Sequence, residues 1–330
     1  VLADSLVYIP QQTDVSFGRQ PDGSNHWYYF DVPTPDAANT NMGYAGYTVK
    51  AAPPLFSTQG GFFTGSLQLN LTAASPGSTI RYTLDGSEPT QESAVFTSPI
   101  SIENTTVVRA RSSKDGLIDS PTATNTYFFD VQKDLPVFSL VCDSMYLWDS
   151  VMGIYANDAI DQERVANIEY FEDEQAVLNQ PVGLQIQGFV ARYLPQKVFG
   201  LYARNKYGKT SLDHKFFYDK DIHSFSSIFL RNGGYPDNSS SMLRDGFMQS
   251  LVDGRIDLDY VAYRPAVVYL NGKYWGLYNI REKQNSDFLA ANCNIDPANI
   301  DYLENHWQKT LEGSPEQFHY FLDFITNNII

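Results

Sequence analysis

The sequence predicts a multi-domain chain in which all-β sandwich modules precede an α+β domain. The length of 330 residues exceeds what one hydrophobic core usually serves. Roughly the first 130 residues show short alternating strands separated by turn signals. From Asp134 onward, strands alternate with longer stretches of helical pattern, as an α+β domain requires. Hydrophobic residues make up 43% of the chain and aromatic residues 14%, so enough apolar material is present for folded, β-rich layers.

Charge and composition exclude several classes of partner. The chain carries 38 acidic and 23 basic residues, a net charge of -15, which repels phosphate backbones and anionic membranes. We therefore expect no nucleic-acid partner. No run approaches the roughly 20 apolar residues that a membrane span needs, so the sequence predicts no transmembrane segment. Cys142 and Cys293 are too few for a disulfide framework and lack zinc-site spacing. We interpret them as buried small apolar residues, with a reactive thiol or a single bridge left open.

Residues 1–49 begin in a strand pattern at 6–9 and continue into a turn-rich segment at 16–24. This segment resembles the last strands of a lamin-tail-type β-sandwich, and the residues that complete the pattern are Trp27, Thr34, Pro35 and Asn39. We interpret 1–49 as the C-terminal remnant of such a domain and expect the chain to be truncated at its start.

Residues 50–131 alternate with period two and carry turn signals every eight to twelve residues, which predicts an antiparallel sandwich. The predicted strands lie at 66–71, 79–84 and 107–111. The segment from Ile80 to Thr90 resembles the chitobiase/β-hexosaminidase C-terminal domain, a fibronectin III-like module of bacterial surface and carbohydrate-active proteins.

Residues 132–330 predict strands at 165–171, 182–187, 198–204 and 227–231. Asn271-Gly272 joins two further strands, and this dipeptide best accepts the two positive φ angles of a type I′ hairpin turn. One helix is predicted from Asp237 to Gly254, with Leu243, Phe247 and Leu251 on a stripe that should pack on the sheet. A short helix through Asn292 is predicted, with Asn285 or Ser286 as its cap, and the chain stops inside an amphipathic pattern at 318–325.

Several segments of this third region are similar, in order and spacing, to the CotH (spore coat protein H) family. They include Leu135–Leu140, Val182–Gly188, Gln196-Lys197, Leu230–Asn232, Arg244-Asp245 and Tyr269–Glu282. The resemblance implies an atypical protein-kinase-like lobe, truncated by the end of the chain. It also implies transfer of phosphate from ATP, with Mg²⁺ or Mn²⁺, to protein serines.

Phosphoryl transfer needs cations to balance the triphosphate and carboxylates to hold the metal and orient the hydroxyl. By resemblance, Lys197 stands where the family places its phosphate-facing lysine, although Val198 replaces the serine that follows it. Arg192 corresponds to a family arginine, but the glycine and serine that should precede it are missing. Glu282 lies where a kinase-like hinge or a lysine-pairing acid would lie. These three residues are the predicted nucleotide-binding residues.

Each predicted site residue also has a structural interpretation. Lys197 could be a solvated lysine at a strand start, and Arg192 a surface charge. Glu282 could be a strand-end carboxylate paired with Arg281 or Lys283. Arg244 and Asp245, on the solvent side of the predicted helix, are interpreted as a structural ion pair rather than as ligands.

The W-D-x-D aspartates that serve catalysis and metal binding in the family are not found before Ile330. We therefore expect no catalytic residue and no metal site in this fragment, which should be inactive without the rest of the full-length chain. Phosphate-binding glycine motifs and a serine-hydrolase elbow are also missing from the sequence. Asp253, Asp257 and Asp259 lack the glycine and glutamate of an EF-hand loop.

Three hypotheses of function follow. The first is a secreted or cell-surface bacterial kinase of protein serines. The alternative is a non-catalytic surface adhesion or carbohydrate-associated protein that binds a cell-surface glycan; it is suggested by the leading sandwiches and by four potentially exposed aromatics, Trp27, Tyr28, Tyr29 and Trp148. The third is a kinase-like remnant that folds but binds no nucleotide. Under the first two, the protein is extracellular or on the cell surface.

Overall fold

The chain divides into two compact units, Val1–Val131 and Gln132–Ile330, in the computed structural model of the protein. The residues that this structure describes are 15–30, 32–41, 43–44, 50–234, 236–256, 258–304 and 309–328. The strand pattern at 6–9 and the side chain of Asp257 lie outside the described residues.

The first unit consists of short strands. They are β1 (Ser16–Arg19), β2 (Trp27–Phe30), β3 (Leu55–Phe56), β4 (Gly61–Phe63), β5 (Leu67–Leu69), β6 (Leu71–Thr72), β7 (Thr79–Thr83), β8 (Ala94–Val95), β9 (Ile100–Ile102), β10 (Thr106–Ser113) and β11 (Ala123–Phe129). A five-stranded sheet has the order β4-β11-β10-β7-β8, and β1 pairs with β2, β3 with β6 and β5 with β9. One apolar cluster joins Leu69 and Ile102 of the β5–β9 pair to Val108 and Tyr127 of the large sheet. Two β-layers around one cluster are consistent with the predicted sandwich.

Arg109 fixes the turn that follows β7, which carries the Asp85-Gly86-Ser87 motif. Gly86 adopts a φ of 85°, a conformation that glycine adopts at little cost. The buried Arg109 guanidinium donates to the carbonyl of Gly86 at 3.1 Å and forms an ion pair with Glu88. A charge from the middle of a neighbouring strand therefore holds the motif in place.

The second unit contains eleven strands and four α-helices among its described residues. They are β12 (Val137–Val141), α1 (Ser144–Trp148), β13 (Arg164–Glu172), β14 (Gln175–Gln187), β15 (Val198–Tyr202), β16 (Leu212–Asp213), β17 (Ser224–Phe225), β18 (Ser227–Arg231), α2 (Arg244–Ser250), β19 (Tyr263–Leu270), β20 (Lys273–Glu282), α3 (Ser286–Cys293), β21 (Tyr302–Glu304), β22 (Lys309–Glu312) and α4 (Glu316–Asn328). Strands thus dominate where longer helical stretches were expected. None of the described helices has the length and apolar character to cross a bilayer.

Seven of these strands form a closed barrel in the order β12-β13-β14-β15-β18-β20-β19. All neighbours are antiparallel except β12 and β19, which run parallel and close the barrel. Alternate residues point inward, so that Phe138, Leu184, Phe199, Ile228 and Ile280 are completely buried in one core. The residues between them point outward and are available to form a surface site.

The predicted hairpin is confirmed, because β19 and β20 pair antiparallel around Asn271 and Gly272, whose φ angles are 48° and 76°. The strands predicted upstream correspond to β13, β14, β15 and β18. The short helix α3 is also confirmed, since the Asn285 side chain accepts the Phe288 N–H at 3.0 Å as an N-cap.

The single helix predicted from Asp237 to Gly254 is wrong. A 3₁₀ turn covers Asp237–Ser239, and α2 begins only at Arg244. The buried Asp237 carboxylate accepts the Ser240 hydroxyl at 2.8 Å and the Arg244 N–H at 2.9 Å, which stabilises a loop rather than a continuous helix.

The apolar stripe of that helix, Leu243, Phe247 and Leu251, is exposed instead of packed on the sheet. The buried residue of α2 is Gly246, where an added Cβ would lie 2.5 Å from the Tyr263 ring. Contact of α2 with β19 therefore depends on the absence of a side chain at Gly246.

Candidate functional site

A cleft of about 940 Å³ lies on the outer face of the barrel. Outward-pointing side chains of four neighbouring strands form its floor, and these are Gln185 and Gln187 of β14, Tyr202 of β15, Phe229 and Arg231 of β18, and Arg281 of β20. Its walls come from α2, from residues 188–192, from residues 282–285 and from the β21–β22 hairpin. The whole cleft belongs to the second unit.

The cleft is charged but electrically balanced, in a chain whose net charge is -15. Five cationic and five acidic side chains line it: Arg192, Arg231, Arg281, Lys283 and Lys309, with Asp161, Asp245, Glu282, Glu304 and Glu312. An anionic ligand is therefore repelled much less here than by the average surface of the protein.

Arg231 and Arg281 share one carboxylate at the floor of the cleft. Arg281 Nη1 lies 2.5 Å from Asp245 Oδ2, and Arg231 Nε lies 3.5 Å from the same oxygen. The Arg281 side chain is 5% exposed and that of Arg231 is 44% exposed. Burial lowers the pKa of Arg281 from its ordinary value, against the attraction of Asp245. Within the described residues, Arg281 Nε is buried and has no hydrogen-bond partner.

Two glycines make room for this arrangement. Because Gly246 packs directly on Tyr263, α2 approaches the sheet closely enough for Asp245 to reach Arg281. Gly234, at a φ of 77°, lies beside the Arg231 guanidinium, and a Cβ there would be 3.0 Å from Arg231 Nη2. Side chains at either position would displace the charged groups.

Lys197 is buried beside the cleft and does not line it. Its ammonium lies 2.6 Å from Asp158 Oδ2, donates to the carbonyl of Arg192, and lies 5.8 Å from the centre of the Tyr155 ring. The interpretation of Lys197 as a solvated lysine is wrong, because its cationic head is enclosed by these groups.

Arg192 lines the cleft and is held by several acceptors. Its guanidinium donates to the carbonyls of Gly188 at 2.6 Å and Asp158 at 2.8 Å, and it pairs with Asp161 at 2.7 Å. Arg192 is thus a half-buried charge with several partners, which is compatible with its interpretation as a surface charge. Lys197 and Arg192 do lie together, since Lys197 binds the main chain of Arg192.

Glu282 forms an ion pair with a lysine, and that lysine is Lys220. Lys220 Nζ lies 2.5 Å from Glu282 Oε2, and the two side chains are 8% and 3% exposed. Glu282 also accepts the Ala262 N–H at 2.8 Å and the Asn292 amide at 3.1 Å. The expected pairing with Arg281 or Lys283 is wrong, and Lys197 and Glu282 have different counterions.

No local pattern marks Lys220, which lies in a loop 62 residues before Glu282. The predicted Arg244–Asp245 ion pair is also wrong. Asp245 instead reaches across to β18 and β20, and Arg244 is exposed. The helix begins at Arg244 rather than seven residues earlier, which changes the direction in which both side chains point.

The aromatic residues singled out by sequence differ in exposure. Tyr29 is buried, and Trp27 stacks on Phe17 with ring centres 5.2 Å apart. Trp148 is 47% exposed and packs against Tyr155 and Trp275.

Metal and thiol chemistry have little support in the described ranges. They contain no group of three or more His, Cys, Asp or Glu side chains placed to hold a metal ion. Cys142 is buried as predicted, whereas Cys293 is half-buried, and neither of these two described cysteines is part of a disulfide bond. Burial is the main cause that raises the pKa of Cys293, with the nearby Asp259 carboxylate adding to it.

Comparison with known families confirms two resemblances seen in the sequence, in the predicted order. Residues 58–124 match the family model of the chitobiase/beta-hexosaminidase C-terminal domain. Residues 184–325 match the family model described as CotH kinase protein. A search of curated proteins found no match. The lamin-tail resemblance of 1–49 lies outside both matched ranges and stays a prediction. All cleft-lining residues except Asp161 lie within the CotH match.

Proposed function

We propose that the second unit is the nucleotide-binding lobe of an atypical protein kinase, and that the complete protein transfers phosphate from ATP to serines of other proteins. One observation carries the proposal: the segment that matches the CotH kinase protein model, 184–325, also builds the cleft on the outer barrel face. A family likeness and a site of suitable size thus coincide in one part of the chain.

The residues of the cleft fit a nucleotide. Its volume of about 940 Å³ is within the usual range for small-molecule sites. The buried Arg281 Nε, which lacks an acceptor among the described residues, suits an anionic oxygen. Tyr202 and Phe229 add aromatic surface on the same floor, which suits the flat base of a nucleotide. ATP, when bound, supplies the phosphoryl group that is transferred.

In this proposal Lys197 is a positioning residue. It holds the main chain of Arg192, and Arg192 in turn forms the edge of the cleft. Glu282 fixes the end of β20 beside Arg281 through its bond to Lys220. Lys197 thus supports the nucleotide site from beside the cleft, and Glu282 does so from its lining.

Kinase chemistry also requires Mg²⁺ or Mn²⁺. The described residues offer no group of three or more ligands placed for a metal. We therefore assign no metal ligand among them.

We further propose that the protein acts outside the cell or on the cell surface, with the β-sandwich module positioning the kinase-like unit. A second candidate function, non-catalytic attachment to a surface glycan, is favoured by the exposed Trp148. Together with Trp275, it presents an aromatic surface on which a sugar ring could stack.

The test is calorimetric titration of the chain with ATP in the presence of Mg²⁺ or Mn²⁺, followed by incubation of the full-length protein with γ-labelled ATP and casein. We expect saturable ATP binding by the chain and label in casein or in the protein itself. Absence of ATP binding would overturn the nucleotide proposal. Retention on polysaccharide, lost in Trp148→Ala, would then favour the glycan candidate.

A further inference from the structure

We propose that Arg231 and Arg281 form a phosphate-binding subsite, in which the two guanidinium groups that share Asp245 bind a phosphate group of the ligand in the cleft. This inference rests on the proposed function, because it names the part of the cleft that takes the phosphates. It assigns this role to two residues that the sequence patterns had not marked as ligands.

The register of the barrel places both arginines on one face. Arg281 pairs with Phe229 across the β18–β20 ladder, and Arg231 lies two residues further along β18. Such diagonal neighbours on one face of an antiparallel pair lie roughly 7–8 Å apart, which is within reach of long side chains. A single phosphate group can therefore contact both guanidinium groups.

Most carboxylates that line the cleft are engaged by cations other than these two arginines. Asp161 pairs with Arg192 at 2.7 Å, and Glu304 pairs with Lys309 at 3.5 Å. Glu312 acts electrostatically on Lys283.

Glu282 is bound to Lys220, which does not line the cleft. Asp245 is thus the remaining lining carboxylate, and it lies beside two guanidinium groups. Arg231 and Arg281 therefore contact one carboxylate directly between them, and the neighbouring Glu282 acts on Arg281 only electrostatically.

The donors point to an oxygen-rich anion. In the described part of the chain, Arg281 Nε has no acceptor although the side chain is 5% exposed, and a buried charged donor without an acceptor is costly. The planar guanidinium fork matches phosphate oxygens in a bidentate manner. A phosphate oxygen that reaches Nε would therefore give this donor the acceptor that it lacks among the described residues.

The side chains of the two arginines differ in how firmly their contacts hold them, so we expect them to have different roles in binding. Arg281 is fixed by Asp245 and by the carbonyl of Val261 at 3.1 Å. Arg231 is 44% exposed and makes one long contact at 3.5 Å to Asp245. Arg281 thus provides a preorganised donor, while Arg231 can turn toward the ligand. Asp245 is a positioning residue that holds them together.

The experiment titrates the chain with ATP, pyrophosphate and adenosine by calorimetry, using Arg231→Ala and the matched control Arg244→Ala. Arg244 is an exposed arginine at the start of α2, so both variants lose one positive charge. We expect Arg231→Ala to weaken binding of ATP and pyrophosphate roughly tenfold, since one charge-assisted contact is lost. Adenosine binding should not change, and the control should bind all three compounds like the parent chain.

The role of Arg281 is tested in the parent chain by NMR, because removal of this buried side chain could unfold the protein. Its Nε–H signal, identified by its loss in Arg281→Lys, is followed by ¹H–¹⁵N NMR during the pyrophosphate titration. We expect this signal to shift in step with binding. If ATP binds equally well to the parent chain and Arg231→Ala, or if the Nε–H signal stays unmoved, the subsite is overturned while the proposed function stands. If the parent chain binds no ATP, the proposed function fails, and the subsite fails with it unless pyrophosphate binds in an Arg231-dependent manner.

Discussion

Arg281 and Glu282 are neighbours at the end of β20, and their side chains enter opposite environments. Glu282 accepts hydrogen bonds from Lys220, Ala262 and Asn292, so the buried carboxylate is fully engaged. Arg281 shares its carboxylate with Arg231 and, among the described residues, leaves Nε without a partner. Both side chains are about equally buried. The number of hydrogen-bond partners, more than the degree of burial, therefore distinguishes the structural charge of Glu282 from the candidate ligand Arg281.

The largest effect is expected when the engaged charge pair is broken. Lys220→Met leaves the Glu282 carboxylate buried without its counterion, and we expect the free energy of unfolding to fall by about 3–5 kcal/mol. The measurement is urea-induced unfolding followed by tryptophan fluorescence. As a control, Lys215→Met removes a partner of the exposed Asp221 and should cost less than about 1 kcal/mol. Equal losses in the two variants would contradict the structural role of Lys220.

The second prediction tests whether Lys197 supports the cleft or binds the phosphate. Lys197→Met removes the bonds to Asp158 and to the Arg192 carbonyl, so we expect a loss of roughly 1.5–3 kcal/mol in the free energy of unfolding. ATP affinity, measured by calorimetry below the unfolding transition, should fall less than in Arg231→Ala. A larger fall than in Arg231→Ala would make Lys197 a direct ligand, as the family resemblance first implied.

A smaller effect is expected at the contact between α2 and β19. Gly246→Ala places a Cβ 2.5 Å from Tyr263 Cδ2, so α2 must move and Asp245 with it. Overpacking costs about 1–3 kcal/mol and the better helix preference of alanine returns about 1 kcal/mol, so we expect a net loss of about 1 kcal/mol. Pyrophosphate binding should weaken in parallel, because Asp245 no longer holds Arg281. Ser250→Ala, at an exposed position of the same helix, should bind pyrophosphate normally.

The smallest expected effect is a pH-dependent change in the free energy of unfolding. It concerns Glu172, which lies at the end of β13 as Glu282 lies at the end of β20. Burial acts to raise its pKa, but hydrogen bonds from Arg264 and Tyr218 outweigh burial and hold the pKa below its ordinary value. The folded state therefore gains stability from the ionised carboxylate above the unfolded pKa, and loses it as the pH falls through the lower folded pKa.

In unfolding experiments, the parent chain should exceed Glu172→Gln in stability at neutral pH, and the difference should shrink between about pH 5 and pH 3. A difference that stays constant over this range would show that Glu172 contributes packing rather than charge.

Local sequence patterns predicted the elements whose causes are local. The hairpin at Asn271-Gly272 follows from two positive φ angles, and the start of α3 follows from the Asn285 cap. The prediction of one helix over 237–254 was wrong because the buried Asp237 carboxylate accepts hydrogen bonds from Ser240 and Arg244. Hydrophobic periodicity does not reveal such bonds.

The structure brings the predicted site residues close together but does not test their role. Arg192 and Glu282 line the cleft and Lys197 lies beside it, and nucleotide binding by all three stays a prediction. The pairing of Lys220 with Glu282 depends on barrel closure and has no sequence signature. Arg231 and Arg281 each lie in a motif that resembles the CotH family, yet their meeting over one carboxylate required the β18–β20 register.

The parallel pairing of β12 with β19 has a consequence for how the protein is made. Val137 pairs with Val267, so about 130 residues must leave the ribosome before the barrel can close. At about 5–20 residues per second, β12 waits on the order of ten seconds for its partner. During that time it presents an unpaired edge, which favours aggregation. We expect slow closure, as for other folds dominated by distant strand pairs, and a need for protection of β12 on the nascent chain.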